Sequence, residues 1–129
     1  MNASRKGKRI EQLYARRLRE EGFVDCITSR EGSTLYDSAG VDFLNLPVLI
    51  QCKAGYSRGI NYVELLTSLL EKKKKLPKHD RNKLTSILHV KDVGKGRKRL
   101  PQHDLVIMTF DDYIQLVKLA YGVPEQSGI

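Results

Sequence analysis

GVDFLNLPVLIQCKAG, residues 40–55, is the stretch around which the rest of the chain is organised. Two short apolar segments, VDFLNL and PVLIQC, flank a break at Asn45, Leu46 and Pro47, the pattern of a tight antiparallel hairpin. A turn centred between Leu46 and Pro47 sets Asp42 directly opposite Gln51, with their Cβ atoms roughly 4.5–5.5 Å apart on one face. Lys53, two positions beyond Gln51, points to that face as well. The hairpin is therefore expected to gather a carboxylate, an amide and an amine at one end of two strands. A register shift of one residue would turn one strand over and separate them. The carboxylate and the amide carbonyl are hard oxygen donors suited to Mg²⁺ or Mn²⁺. A lysine beside them can orient a water or neutralise charge building on a phosphate. The plainer reading is a polar strand end, with Asp42 opening a strand and Lys53 on a solvated edge.

The 129 residues suit one domain, residues 1–129, with a single modest core. No apolar run approaches the roughly 18 residues of a membrane span, so no membrane association is expected. The start, MNASRKGKRIEQ, is basic without an apolar signal region, which favours a cytoplasmic location. Cys26 and Cys52 sit in apolar segments without CxxC spacing and read as free thiols. His79, His89 and His103 share no zinc-ligand spacing. The net charge is +8, and of the 23 Lys and Arg residues seven fall in residues 1–19 and twelve in residues 71–99. Such clustering is the electrostatic footprint of a nucleic-acid binder, although a basic patch also serves an acidic protein or a membrane surface.

Residues 1–8 read as a mobile basic arm. From Arg9 a helical stripe of Ile10, Leu13, Tyr14 and Leu18 runs to a stop at Gly22. Glu11 lies at the margin of that stripe, where a solvated first-turn carboxylate is the plain alternative to a functional one. Residues 23–28 alternate as a strand, and residues 29–39 form a polar loop carrying Ser33. The run Val48, Leu49, Ile50 predicts a strand covered on both faces. A second helix follows with Val63, Leu66 and Leu70 inward, limited by Pro77. Residues 84–90 and 104–110 read as strands joined by a basic loop, KDVGKGRKRLP, at residues 91–101. Thr109 and Asp112 resemble a capping box opening a last helix with Ile114, Val117 and Tyr121 inward, and residues 122–129 are expected to fray. The order is αβββαββα, an α/β arrangement with a mixed central sheet of about five strands flanked by helices.

With that order in hand, the chain resembles the PD-(D/E)xK nuclease superfamily, and within it the archaeal-type Holliday-junction resolvases and related virus-encoded endonucleases. A glutamate-bearing helix behind a basic, glycine-containing arm matches RKGKRIEQL with Glu11. A serine-containing loop matches REGSTLYDSAG with Ser33. An acid opening the second strand matches Asp42, and the (D/E)xK signature of the third strand matches Gln51-Cys52-Lys53. The likeness covers most of residues 5–75 and extends through DLVIMTFDDYIQLV. It implies a restriction-endonuclease-like core and a metal-dependent DNA endonuclease that hydrolyses phosphodiester bonds, structure-selective on branched DNA. Glu11, Asp42 and Gln51 would hold Mg²⁺, with Mn²⁺ able to substitute, and Lys53 would position the attacking water. Arg5, Lys6, Lys8, Arg9 and Ser33 would hold DNA with the runs Lys72, Lys73, Lys74, Lys75 and Lys95, Arg97, Lys98, Arg99. A homodimer, no small-molecule cofactor and a place in the nucleoid or a virus-infected cell are the remaining implications. Gln51 departs from the usual acid: its carbonyl still ligates a cation but lacks a full charge. A nuclease of another specificity, a DNA-binding module without catalysis and a basic protein adaptor remain the competing readings.

Overall fold

The computed structural model describes residues 3–55 and 59–122, with side chains from Lys6 onward; the Arg5 side chain and the tail from residue 123 lie outside this description. Helix α1 spans Ala3–Glu20, so the helix starts six residues before Arg9 and takes in most of the stretch expected as an arm. Tyr14 and Ala15 are buried, with Ile10 and Leu18 packed beside them, whereas Leu13 turns outward at 60% exposure. Gly22 follows the helix at φ 112°, a left-handed conformation that favours glycine. Strand β1 is only Ile27–Thr28, and the loop expected at 29–39 folds into two short helices, α2 (Ser29–Gly32) and α3 (Thr34–Ser38). Strands β2 (Phe43–Leu44) and β3 (Leu49–Gly55) lead to helix α4 (Tyr62–Lys72), a 3₁₀ turn at Lys73–Lys75 and helix α5 (Lys78–Arg81). Strand β4 (Thr85–Lys91), a 3₁₀ turn at Pro101–His103, strand β5 (Asp104–Ile107) and helix α6 (Phe110–Tyr121) complete the order. Among the described residues no helix is long and apolar enough to cross a membrane.

The molecule is a mixed α/β fold, but its five strands divide into two sheets. β1 and β2 form an antiparallel pair. β3, β4 and β5 form a three-stranded sheet in that order, with β3 parallel and β5 antiparallel to β4. A single central sheet does not form because β2 stops after two residues and Asp42, rather than a strand, takes up the free edge of β3. The Asp42 N–H donates to Ile50 O at 2.8 Å, and the Cys52 N–H donates to Asp42 Oδ2 at 2.7 Å. The first bond sets Asp42 opposite Ile50, one residue away from the register with Gln51 that the hairpin pattern predicts. Asn45 accounts for the shift: it adopts φ 65° and its amide donates to Asp25 O, so the turn is tied to the approach of β1.

Residues of β3 alternate between two cores. Ile50 and Cys52 pack with Tyr14, Cys26, Phe43 and Val90 beneath α1, while Leu49 packs with Val41, Leu69 and Leu76 beneath α4. The strand is covered on both faces, as its unbroken apolar run predicts. In α4 the inward pair is Leu66 and Leu69; Val63, expected inward, is 76% exposed. The Thr109 cap forms, accepting the Asp112 N–H at 3.1 Å, but Asp112 turns its carboxylate to the Thr85 N–H and leaves the box unreciprocated. No α6 side chain is buried, and Tyr121, expected inward, is exposed.

Candidate active site

A backbone N–H on a strand edge points within the plane of the sheet, so the Cys52 bond fixes the Asp42 carboxylate at the rim of β3. That amide belongs to the residue between Gln51 and Lys53. Asp42 therefore meets β3 through a carboxylate replacing a strand partner, not through a cross-strand pair with Gln51, while Gln51 lies against Gly40 and Lys53 lines a cleft with Gly55, Asn61 and Glu64. Burial pushes the Asp42 carboxyl up to about 7; the nearby Glu11 and Asp37 carboxylates act in the same direction, while the Cys52 N–H and Arg30 oppose them. A carboxylate held in such surroundings is short of positive charge.

Gln51 turns toward α4 and lies against Gly40, where an added Cβ would come within 3.0 Å of its Nε2. Gly40 has φ 80°, so both its backbone and the neighbouring amide call for glycine. The Gln51 Oε1 atom is buried and has no hydrogen-bond partner among the described residues. Leaving such a group unsatisfied costs about 1–3 kcal/mol, which a cation or an ordered water would remove.

Glu11 is buried on α1 and held by Arg30 through two bonds of 3.0 Å each. It shares the electrostatic surroundings of Asp42, yet its oxygens already serve the guanidinium. Nothing in the sequence singles out Arg30, since an arginine in a polar loop gives no signal that it will meet an acid nineteen residues earlier. Among the described residues no three or more His, Cys, Asp or Glu side chains converge as metal ligands. Asp42 and the Gln51 carbonyl are hard oxygen donors of the kind Mg²⁺ takes, an ion that keeps several waters. Gln51→Glu, adding a second carboxylate beside Asp42, should lower the Mg²⁺ concentration for half-maximal activity, and Gln51→Leu should raise it or abolish activity. A metal titration unmoved by either variant would reduce Gln51 to a strand residue.

Comparison with family models, curated proteins and solved structures finds no match for this chain. The chemistry of the site therefore rests on its own geometry.

The basic residues divide into two groups. Lys8, Arg9, Lys72, Lys75, Lys95, Arg97 and Lys98 are exposed or half-buried and, among the described residues, make no side-chain hydrogen bond or ion pair within the fold. The others are engaged: Lys6 pairs with Asp92 at 2.9 Å and Lys74 with Glu71 at 3.0 Å. Lys73 donates to Lys83 O and Thr85 Oγ1, and Ser33 caps α3 by accepting the Tyr36 N–H. Arg99 donates to Lys91 O, His103 O and Asp104, stapling the basic loop to the sheet. The loop's exposed cations and its staple predict different outcomes. Replacing Lys95, Arg97 and Lys98 by Ser should flatten the dependence of log affinity on log salt by about 0.9 for each duplex phosphate that the loop no longer neutralises. Arg99→Ser should instead lower Tm, as a loop staple requires. An unchanged salt slope in the triple variant would show that the loop does not meet DNA.

Proposed function

We propose that this protein is a metal-dependent DNA endonuclease of the PD-(D/E)xK type, built on a restriction-endonuclease-like core and selective for branched DNA such as a Holliday junction. The observation that carries the proposal is the buried Gln51 carbonyl, unpaired among the described residues and one residue from the Cys52 N–H that holds the buried Asp42 carboxylate, with Lys53 two residues along the same strand. Asp42 and Gln51 would hold Mg²⁺ or Mn²⁺. The bound ion would supply Lewis-acid polarisation of the phosphate and a more acidic water. Lys53 would neutralise charge that develops on the phosphate oxygens and orient the water. The exposed cations of the 95–98 loop and of Lys72 and Lys75 hold the backbone on either side. The work would be done in the cytoplasm, on nucleoid or viral DNA. Incubation with four-way, flapped and linear duplexes and with the matching RNA tests the specificity. Preferred nicking of the four-way junction is expected, and equal cleavage of linear duplex would overturn branch selectivity.

A second reading, a DNA-binding module without catalysis, is favoured by the two bonds that Arg30 makes to Glu11 and by the neutral Gln51. It predicts salt-dependent DNA affinity with no cleavage in Mg²⁺ or Mn²⁺.

A homodimer fits the same proposal, since paired nicks across a junction need two sites. Its support is α6, where Phe110, Tyr113, Val117 and Tyr121 share one stripe, and the three aromatics are 73%, 51% and 79% exposed. The adjoining strand β5 adds Val106 at 64% exposure on an edge of the sheet. The wild type should sediment as a dimer and Phe110→Glu/Tyr113→Glu as a monomer; a monomeric wild type at tens of micromolar, an order typical of weak association, would remove the dimer.

A further inference from the structure

Beneath Lys53 lies a pair of side chains that the hydrolytic reading does not use. His89 is fully buried on β4 and is the register partner of Lys53 in the parallel β3–β4 ladder, so both side chains belong to one face. Its Nε2 is 2.9 Å from Gly55 O, and its Nδ1 is 2.7 Å from the Tyr62 hydroxyl. A carbonyl only accepts, so Nε2 carries the hydrogen. In the neutral ring Nδ1 then accepts the proton of the Tyr62 hydroxyl. Gly55 closes β3 and its oxygen also accepts the Asp92 N–H at 3.2 Å, while Tyr62 opens α4. The ring of Tyr62 leans on the imidazole with centroids 5.8 Å apart. The imidazole therefore ties the last residue of one element to the first of the next.

Gly55, which the tie holds, also lines a cleft of about 500 Å³ with Lys53, Asn61, Glu64, Leu65 and Ser68 among others. The helical members recur every three or four residues and form one face of α4, opposite which Lys53 stands. Lys53 makes no hydrogen bond or ion pair among the described residues, so the backbone of β3 is a main determinant of where its side chain starts into the cleft. We infer that Tyr62 and His89 form a positioning pair: by pinning Gly55 to the start of α4 they fix the cleft and aim Lys53 into it. The inference rests on the hydrolytic reading for its consequence but not for its geometry. A displacement on the order of 1 Å at a reacting group can cost about a hundredfold in rate.

The test uses the full chain, the best-cleaved DNA of the panel and three variants. Tyr62→Phe keeps the ring and removes the hydroxyl. His89→Leu keeps bulk and removes both bonds, and His89→Gln retains an N–H able to reach Gly55 O. Single-turnover cleavage is expected to fall about tenfold in Tyr62→Phe and further in His89→Leu, and to recover in part in His89→Gln. DNA affinity and the Mg²⁺ requirement should not change. A merely structural role would lower Tm and leave the rate, measured well below Tm, untouched. The second readout needs no cleavage: amide hydrogen exchange at Ala54 and Gly55 should quicken at least tenfold in Tyr62→Phe, beyond that of Leu76→Ala, a variant destabilised elsewhere in the core. If the wild type cleaves nothing, the hydrolytic reading fails and the exchange result alone decides the pin. Exchange no faster than in Leu76→Ala, or an unchanged cleavage rate in a folded Tyr62→Phe, overturns it.

Discussion

Asp42→Asn and Lys53→Ala should each lower single-turnover DNA cleavage by about 10²- to 10³-fold while leaving affinity for uncleaved DNA nearly intact. The expectation follows from where the two groups stand. Asp42 is held at the edge of β3 by the Cys52 N–H, and an asparagine there can still accept that bond through its carbonyl, so the backbone geometry survives. What disappears is the negative charge that would draw a cation. Lys53 takes no part in a hydrogen bond or ion pair among the described residues, so its truncation removes charge from the cleft without unpicking the fold. Measured with each variant folded by circular dichroism, wild-type rates in both would remove the site from Asp42 and Lys53.

The second large effect is on stability, and its sign is set by burial. Asp42 is pushed from 3.8 up to about 7, so the folded chain binds its proton more tightly than the unfolded chain does. The contribution of this group to stability is full below about pH 4, declines as the pH climbs, and is lost above about 7. Relative to wild type, Asp42→Asn should therefore gain roughly 5–10 °C in Tm at pH 8 and little at pH 4. If Mg²⁺ binds at this carboxylate as proposed, it would act on the ionised form and compete with the proton, so it should raise the wild-type Tm more at pH 8 than at pH 6 and leave Asp42→Asn unmoved. Equal Tm values for the two proteins across pH 4–8 would show that Asp42 is not strained by its surroundings.

How far the fold can be read from sequence depends on whether a feature is local. The Gly22 stop, the Thr109 cap and the doubly covered β3 follow from neighbouring residues and are legible. The register of Asp42 against β3 is not, because it hangs on Asn45 reaching the Asp25 carbonyl twenty residues earlier. The helices at 29–32 and 34–38 are hidden because they are too short to show periodicity. A single five-stranded sheet is the natural expectation because strand-like composition at residues 23–28 and 41–46 says nothing about how many of those residues find a partner. Among the cations, composition does not distinguish Arg99, used up on Lys91 O, His103 O and Asp104, from Lys95, Arg97 and Lys98 beside it. The Glu11–Arg30 and Tyr62–His89 pairs are out of reach for the same reason: each joins residues that only the tertiary fold brings together.

Metal-dependent hydrolysis is tested most directly by single-turnover incubation of the full chain with a labelled four-way junction in Mg²⁺, in Mn²⁺ and in EDTA, beside Lys53→Ala. Discrete nicks in both metals, none in EDTA and none from Lys53→Ala are the predicted result. An intact junction in every lane, or nicking that persists in EDTA or in the Lys53→Ala variant, would contradict it.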